Sequence, residues 1–307
     1  PITITGGTVN ATGKSSKDMS SYGIYAVRAV TISGGTVTAT GGTAAGGESS
    51  GIYAVTSPQF GELKVLIQDA TVTATGMACT SGISSGIFAE SEGSEGVDVQ
   101  VAIEDSIVTA TGGTAGTGSY GILADDDAST VTINGNSVVR ANMTGTVGDD
   151  GKPISGTTVE KESGIIFENG EGTVHGNVTL REDLTIGANE SLDIPNGASL
   201  TIPEDTTLTN NGAITNEGAL TNNGTLTIGQ SGSLTGNVSG NVLYAVTVVT
   251  SGSGSASPPK AVAETGDTVT LTASPGSGYH FERWEVVSGG VTLTGNQFTM
   301  PACPVTV

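Results

Sequence analysis

Few residues in this chain belong to types that do chemistry, and most of those are carboxylates. Asp69 and Asp105 occupy the same place in two copies of a repeated phrase, with Glu104 beside the second. Two carboxylates held one strand spacing apart must bind a cation, share a proton or turn into water. Glu90, Glu92, Glu95, Asp98, Asp125, Asp126, Asp127, Glu168 and Glu171 crowd a second region, and oxygen-rich edges suit Ca²⁺. Asp69, Asp105, Asp125, Asp126 and Asp127 are therefore the candidate metal ligands. The sequence has no Asp-x-Asp-x-Asp-Gly loop or Gly-Gly-x-Gly-x-Asp nonapeptide, so solvation of a surface otherwise poor in charge is the competing account. A glycosidase needs an acid facing a second carboxylate across a cleft, and a lyase also needs a base to take a proton from a uronate. Lys64 is the only basic residue between Arg28 and Arg140, which argues against a lyase and leaves a polysaccharide hydrolase as the catalytic alternative. No residue is assigned a catalytic role: His175 and His280 lack partner patterns, and Cys79 and Cys303 read as unpaired thiols without Cys/His metal spacing.

The elements that position these groups follow from a phrase written five times. Its copies begin Ile2-Thr-Ile-Thr-Gly-Gly-Thr-Val, Val30-Thr-Ile-Ser-Gly-Gly-Thr-Val, Val65-Leu-Ile-Gln-Asp-Ala-Thr-Val, Val101-Ala-Ile-Glu-Asp-Ser-Ile-Val and Val131-Thr-Ile-Asn-Gly-Asn-Ser-Val. An extra residue in the fifth copy reads as a bulge. The markers Ile4, Ile32, Ile67, Ile103 and Ile133 lie 28, 35, 36 and 30 residues apart, the spacing of a stacked repeat protein. Gly-Ile-x-Ala or a relative follows each copy, at Gly23, Gly51, Gly86, Gly121 and Gly164.

Each unit offers three short segments of alternating apolar residues, hence three strands and three faces. An apolar strip two residues wide cannot bury itself. Stacking successive units encloses a continuous aliphatic column between parallel sheets. The expected fold class is all-β: a right-handed parallel β-helix with three strands per coil, followed by a small β-rich repeat domain. Residues 1–242 form the helix, with long looped coils over 1–171 and short coils over 172–242, and residues 243–307 form the repeat. In the short coils Leu184, Leu192, Leu200 and Leu208 recur every eight residues, and Leu208, Ile214, Leu220 and Leu226 every six. Their Asn-rich turns are expected to hydrogen-bond to counterparts above and below.

Parity along the third strand turns Ile24, Ile52, Ile87, Ile122 and Ile165 inward and sends Tyr25, Tyr53, Phe88, Leu123 and Ile166 out. Tyr25, Tyr53 and Phe88 are thus the candidate ligand-binding residues, a platform on which sugar rings or a partner's side chains would stack. Otherwise the loops fold over the row and make it a satellite core.

Composition removes whole classes. The 307 residues carry 30 Asp and Glu against 10 Lys and Arg, a formal net charge of −20, which argues against nucleic acid and anionic lipid. No run approaches the roughly 18 apolar residues of a membrane span. With 4% aromatic residues and 48 glycines, the core must be thin and aliphatic.

The phrase Thr31-Ile-Ser-Gly-Gly-Thr-Val-Thr-Ala-Thr-Gly-Gly with Ser49-Ser-Gly-Ile-Tyr-Ala resembles the β-helix regions of secreted or wall-associated surface proteins of gut Gram-positive bacteria. Residues 243–307, through Gly278-Tyr-His-Phe-Glu-Arg-Trp and Phe298-Thr-Met-Pro, resemble the divergent internalin B-type repeat. The resemblance implies an extracellular piece of a longer surface protein, with His280 in a structural strand. The expected function is a non-catalytic, monomeric adhesin or stalk whose partners are host or microbial glycans or surface proteins. No cofactor is expected beyond the Ca²⁺ considered above.

Overall fold

The computed structural model describes residues 1–57, 59–91, 97–125, 129–143, 158–258 and 260–307. Every regular element among them is a β-strand. The chain divides into two compact units, residues 1–169 with 173–178, and residues 170–172 with 179–307.

In the first unit each repeat contributes strands to separate sheets, and each strand pairs in parallel with its counterpart in the next repeat. The first sheet stacks Ile2–Ile4, Ala29–Ser33, Leu63–Gln68, Val99–Glu104, Thr130–Asn134 and Thr158–Lys161. The second stacks Thr8–Thr12, Thr36–Thr40, Thr71–Thr75, Ile107–Thr111, Val138–Ala141 and Gly164–Glu168. The third stacks Ser21–Val27, Ser49–Thr56, Ile83–Ser91 and Gly118–Asp125. Ile4, Ile32, Ile67, Ile103 and Ile133 stand in direct register, which aligns every inward side chain of the first sheet. Val, Ile and Ala from all three sheets form one apolar cluster. A period-2 strip has a single burial solution, because a slip of one residue would turn the whole strip to solvent.

The glycine of Gly-Ile-x-Ala has a steric cause. At Gly86 a Cβ would lie 2.6 Å from the backbone nitrogen of Thr111 and 2.7 Å from the carbonyl oxygens of Ala74 and Gly121. The third sheet approaches the ends of the second too closely for any side chain there.

Two expectations change here. The segment at Gly164 is not a third-sheet strand: it pairs with the second sheet through Val138↔Ile165 and Val139↔Ile166. Parity is thereby reversed, and Ile166 rather than Ile165 joins the main cluster, because it continues the column of Val139. The extra residue of the fifth copy makes no bulge; it sits in the turn Gly135-Asn136-Ser137, so Val138 still aligns with Ile107. The loops between second and third strands are themselves stacked, through parallel bridges Ser16↔Ala44 and Ala44↔Cys79. Buried serines tie them: Ser49 Oγ donates to Gly42 O at 2.8 Å and accepts from Met77 N at 2.8 Å. Ser84 repeats this with Met77 O and Gly113 N, 2.8 and 2.7 Å away.

In the second unit the short strands continue the pattern: Leu184 aligns with Leu208 and Leu226, Leu192 with Ile214 and Leu234, and Leu200 with Leu220 and Val238. Asn210, Asn216 and Asn222 are not turn residues. They point inward, in register with Ile186 and Ile228, with Ile194 and with Ile202, and are buried. Each Nδ2 donates to a backbone carbonyl of the following layer, of Ser233, Asn237 and Asn241 respectively. A single polar layer thus replaces the expected side-chain ladder, because a buried amide must find partners and the next layer's carbonyls lie within reach.

Leu243–Thr247 pairs in parallel with Thr225–Ile228, antiparallel with Val262–Glu264, and in parallel with Val305–Thr306. Gly254–Ser257 with Thr272–Pro275, and Thr268–Thr270 with Gln297–Thr299, complete the C-terminal strands. Tyr244, Val246, Val269, Leu271, Phe298, Met300 and Val305 are buried there. Gly278–Val286, expected as a strand around His280, forms none.

Candidate functional site

The outer face of the third sheet carries the aromatic row. The residue after each Ile stands on the side opposite that Ile, and Tyr25, Tyr53, Phe88 and Leu123 lie in register. They do not share one environment. Tyr25 is 51% exposed, whereas Tyr53, Phe88 and Leu123 are 4%, 0% and 2% exposed. Tyr53, Val55, Phe88, Tyr120 and Leu123 form a second apolar cluster, with Tyr22 and Ile83 packed on it. The three-residue platform expected from parity is therefore corrected to an accessible Tyr25 backed by a covered row. Edge position alone does not decide this, since Leu123 on the opposite edge strand is covered; Tyr53, Phe88 and Leu123 are closed because they pack on one another and on Tyr120, with Tyr22 stacked over Tyr53.

Tyr22 is the residue that parity missed. It aligns with Ser50, on the inward side by simple alternation, yet its ring stacks on Tyr53 at 4.2 Å and lies 5.6 Å from Tyr25. Tyr25 lies 5.6 Å from Tyr53 at an interplanar angle of 17°, and Phe88 meets Tyr53 edge-on at 5.4 Å. Gly23 separates Tyr22 from the alternating run, and no local signal marks the departure.

Carboxylates anchor the phenols. Tyr22 donates to Glu48 Oε2 at 3.2 Å, and Tyr53 donates to Glu90 Oε1. Glu90 lies in register with Asp125 on the neighbouring strand. Burial pushes the Glu48 carboxyl above the ordinary carboxylate range and the Asp125 charge adds to this, against the hydrogen bond from Tyr22. Burial likewise pushes both phenols upward, aided at each by its carboxylate. The arrangement is a rigid aromatic stack with one open ring and a flanking acid whose proton is held more tightly than usual.

The remaining candidates are placed as follows. Asp69 and Asp105 hold the turns after adjacent first-sheet strands, with φ of 50° and 46°, a backbone that Asp tolerates. Asp105 Oδ1 accepts from the backbone nitrogen of Asn136 at 2.9 Å and from its side-chain amide at 3.1 Å, so it braces the next turn. Among the described residues no group of three or more His, Cys, Asp or Glu is placed to hold a metal ion. Asp126 and Asp127, with Glu92 and Glu95, lie outside the described residues. His175 is half-buried, its pKa lowered by burial and by Lys161, with Glu168 opposing. Cys79 and Cys303 are free thiols, Cys79 buried with Sγ 3.2 Å from Gly82 O.

No curated protein and no solved structure matches the chain. Residues 244–307 match the family model of the divergent InlB B-repeat domain, a repeat typical of bacterial surface proteins, and this likeness points to an extracellular location.

Proposed function

We propose that residues 1–242 are a right-handed parallel β-helix and residues 243–307 its appended repeat, together acting as a non-catalytic, monomeric adhesin or stalk. Three parallel sheets fed in turn by each repeat support the helix. The single observation that carries the binding role is Tyr25, half-exposed and stacked on a fixed Tyr22/Tyr53 base, because a prepositioned ring loses little entropy when a sugar or a partner side chain lies on it. The ligand class is host or microbial glycans or surface proteins. The test is a glycan array and a panel of surface-protein extracts probed with the chain and with Tyr25→Ala. Loss of the bound set with an unchanged circular dichroism spectrum supports the reading, and an identical set refutes it.

A second reading is favoured by Glu48, half-buried beside the aromatic stack, hydrogen-bonded to Tyr22 and near the Asp125 charge, where burial raises its pKa as a general acid requires. Release of reducing sugar from a polysaccharide, lost in Glu48→Gln, would replace the adhesin by a hydrolase.

A further inference from the structure

We infer that the C-terminal segment carries a binding groove for neutral oligosaccharides, separate from the Tyr25 face. The inference rests on the adhesin reading for its ligand class but on different residues. The segment Gly278–Glu285, which forms no strand, walls a groove of about 620 Å³ against Val249–Ala256 and Ala273–Pro275. Volumes of this size hold a few sugar units.

Its lining has two components. Tyr279 and Phe281 are 62% and 45% exposed, and Phe281 lies 5.0 Å from Trp284. The facing wall carries Ser251, Ser253, Ser255 and Ser274, all exposed, whose hydroxyls make no hydrogen bond to protein among the described residues. Exposed rings beside unengaged hydroxyls match a pyranose, which has an apolar C–H face and a rim of hydroxyl groups. An apolar peptide would cover those hydroxyls without bonding them. The charge selects neutral sugars. Arg283 is already engaged by Glu282 and Glu285 at 2.5 and 2.6 Å, and a chain of net charge −20 repels uronates and sulfated glycans.

Trp284 is the chain's single tryptophan, so its emission reports on this groove alone. The full chain is titrated with maltohexaose, cellohexaose and mannohexaose, with hexagalacturonate as the anionic control and an alternating Val-Thr decapeptide as the peptide control. The expected result is a saturable emission change with at least one neutral hexasaccharide and none with either control. Tyr279→Ala with Phe281→Ala should weaken the association, read by calorimetry, about tenfold or more. The Tyr25→Ala chain should keep the Trp284 response. Should the ring double variant misfold, Ser251→Ala with Ser255→Ala should weaken binding in the same direction. Silence of Trp284 toward all neutral sugars overturns the groove, as does a response to the decapeptide alone or undiminished calorimetric binding in the folded variants. Calorimetric binding that is lost only in Tyr25→Ala overturns the groove and leaves the adhesin reading standing.

Discussion

Asn210 and Asn216 occupy equivalent inward positions, but their hydrogen bonds differ, and this sets a graded cost for removing them. Asn210 is fully buried; its Nδ2 donates to Ser233 O at 2.7 Å and its Oδ1 accepts from Gly212 N at 3.0 Å. Asn210→Ala strands the buried Gly212 N–H, at about 1–3 kcal/mol, and removes the bond to the exposed Ser233, worth about 0.5–1.5 kcal/mol more. Asn216 donates to Asn237 O, but its Oδ1 has no partner, because the N–H of Gly218 goes to Ile194 O at 2.9 Å instead. Asn216→Ala therefore removes one bond, to the exposed Asn237, together with an unpaired oxygen, so its cost stays near or below about 0.5–1.5 kcal/mol. Urea denaturation of the two variants should show the larger fall in midpoint for Asn210→Ala, with similar slopes. Hydrogen exchange gives a local check: the Gly212 amide should lose protection in Asn210→Ala, and the Gly218 amide should keep its protection in Asn216→Ala. Equal costs, or the reverse order, would refute the assignment of these amides to one inward layer.

Ile87→Ala should lower stability by about 2–5 kcal/mol, through lost transfer energy and a cavity in the aliphatic column, while Thr73→Ala on the exposed side should stay within about 0.5 kcal/mol by the same assay. Gly86→Ala should cost about 1–3 kcal/mol or more and broaden the thermal transition, since the added carbon meets only backbone. Because the folded Glu48 carboxyl titrates above the ordinary 4.5, the folded state holds that proton longer than the unfolded one. Stability should accordingly fall as pH rises from about 4.5 toward the raised value, and Glu48→Gln should flatten that slope in chemical denaturation. Tyr22 and Tyr53 ionise above the ordinary 10.0, so stability should fall again above that pH. Two phenols should appear in alkaline difference spectra only as the fold is lost.

How much of this was legible can be argued from single residues. Ile4, Ile32, Ile67, Ile103 and Ile133 declared both the repeat and its register, because a narrow apolar strip is buried only when each copy lies over the last. Gly51 and Gly86 recur where backbone meets backbone, and a glycine so placed is visible as repetition even before its steric cause is known. Alternation also identified the inward Ile of the third sheet at Ile24, Ile52, Ile87 and Ile122.

Alternation specifies a face, however, and not what covers the other face. That Tyr25 is open while Tyr53 and Phe88 are closed depends on where the rings of Tyr22 and Tyr120 lie, a long-range fact. Gly164 followed the wrong phrase because Val139 supplied a better continuation for Ile166 than the third sheet did. Asn210, Asn216 and Asn222 read as turn residues because an amide looks misplaced in a column of Ile. Only the layer that follows them supplies the carbonyls that make their burial stable. The sequence by itself thus determined the repeat, its register and its inward face, since these follow from covalent spacing and the burial of apolar strips. The tertiary structure alone decided which outward groups meet solvent and which polar groups are satisfied inside, since both depend on neighbours brought from other repeats.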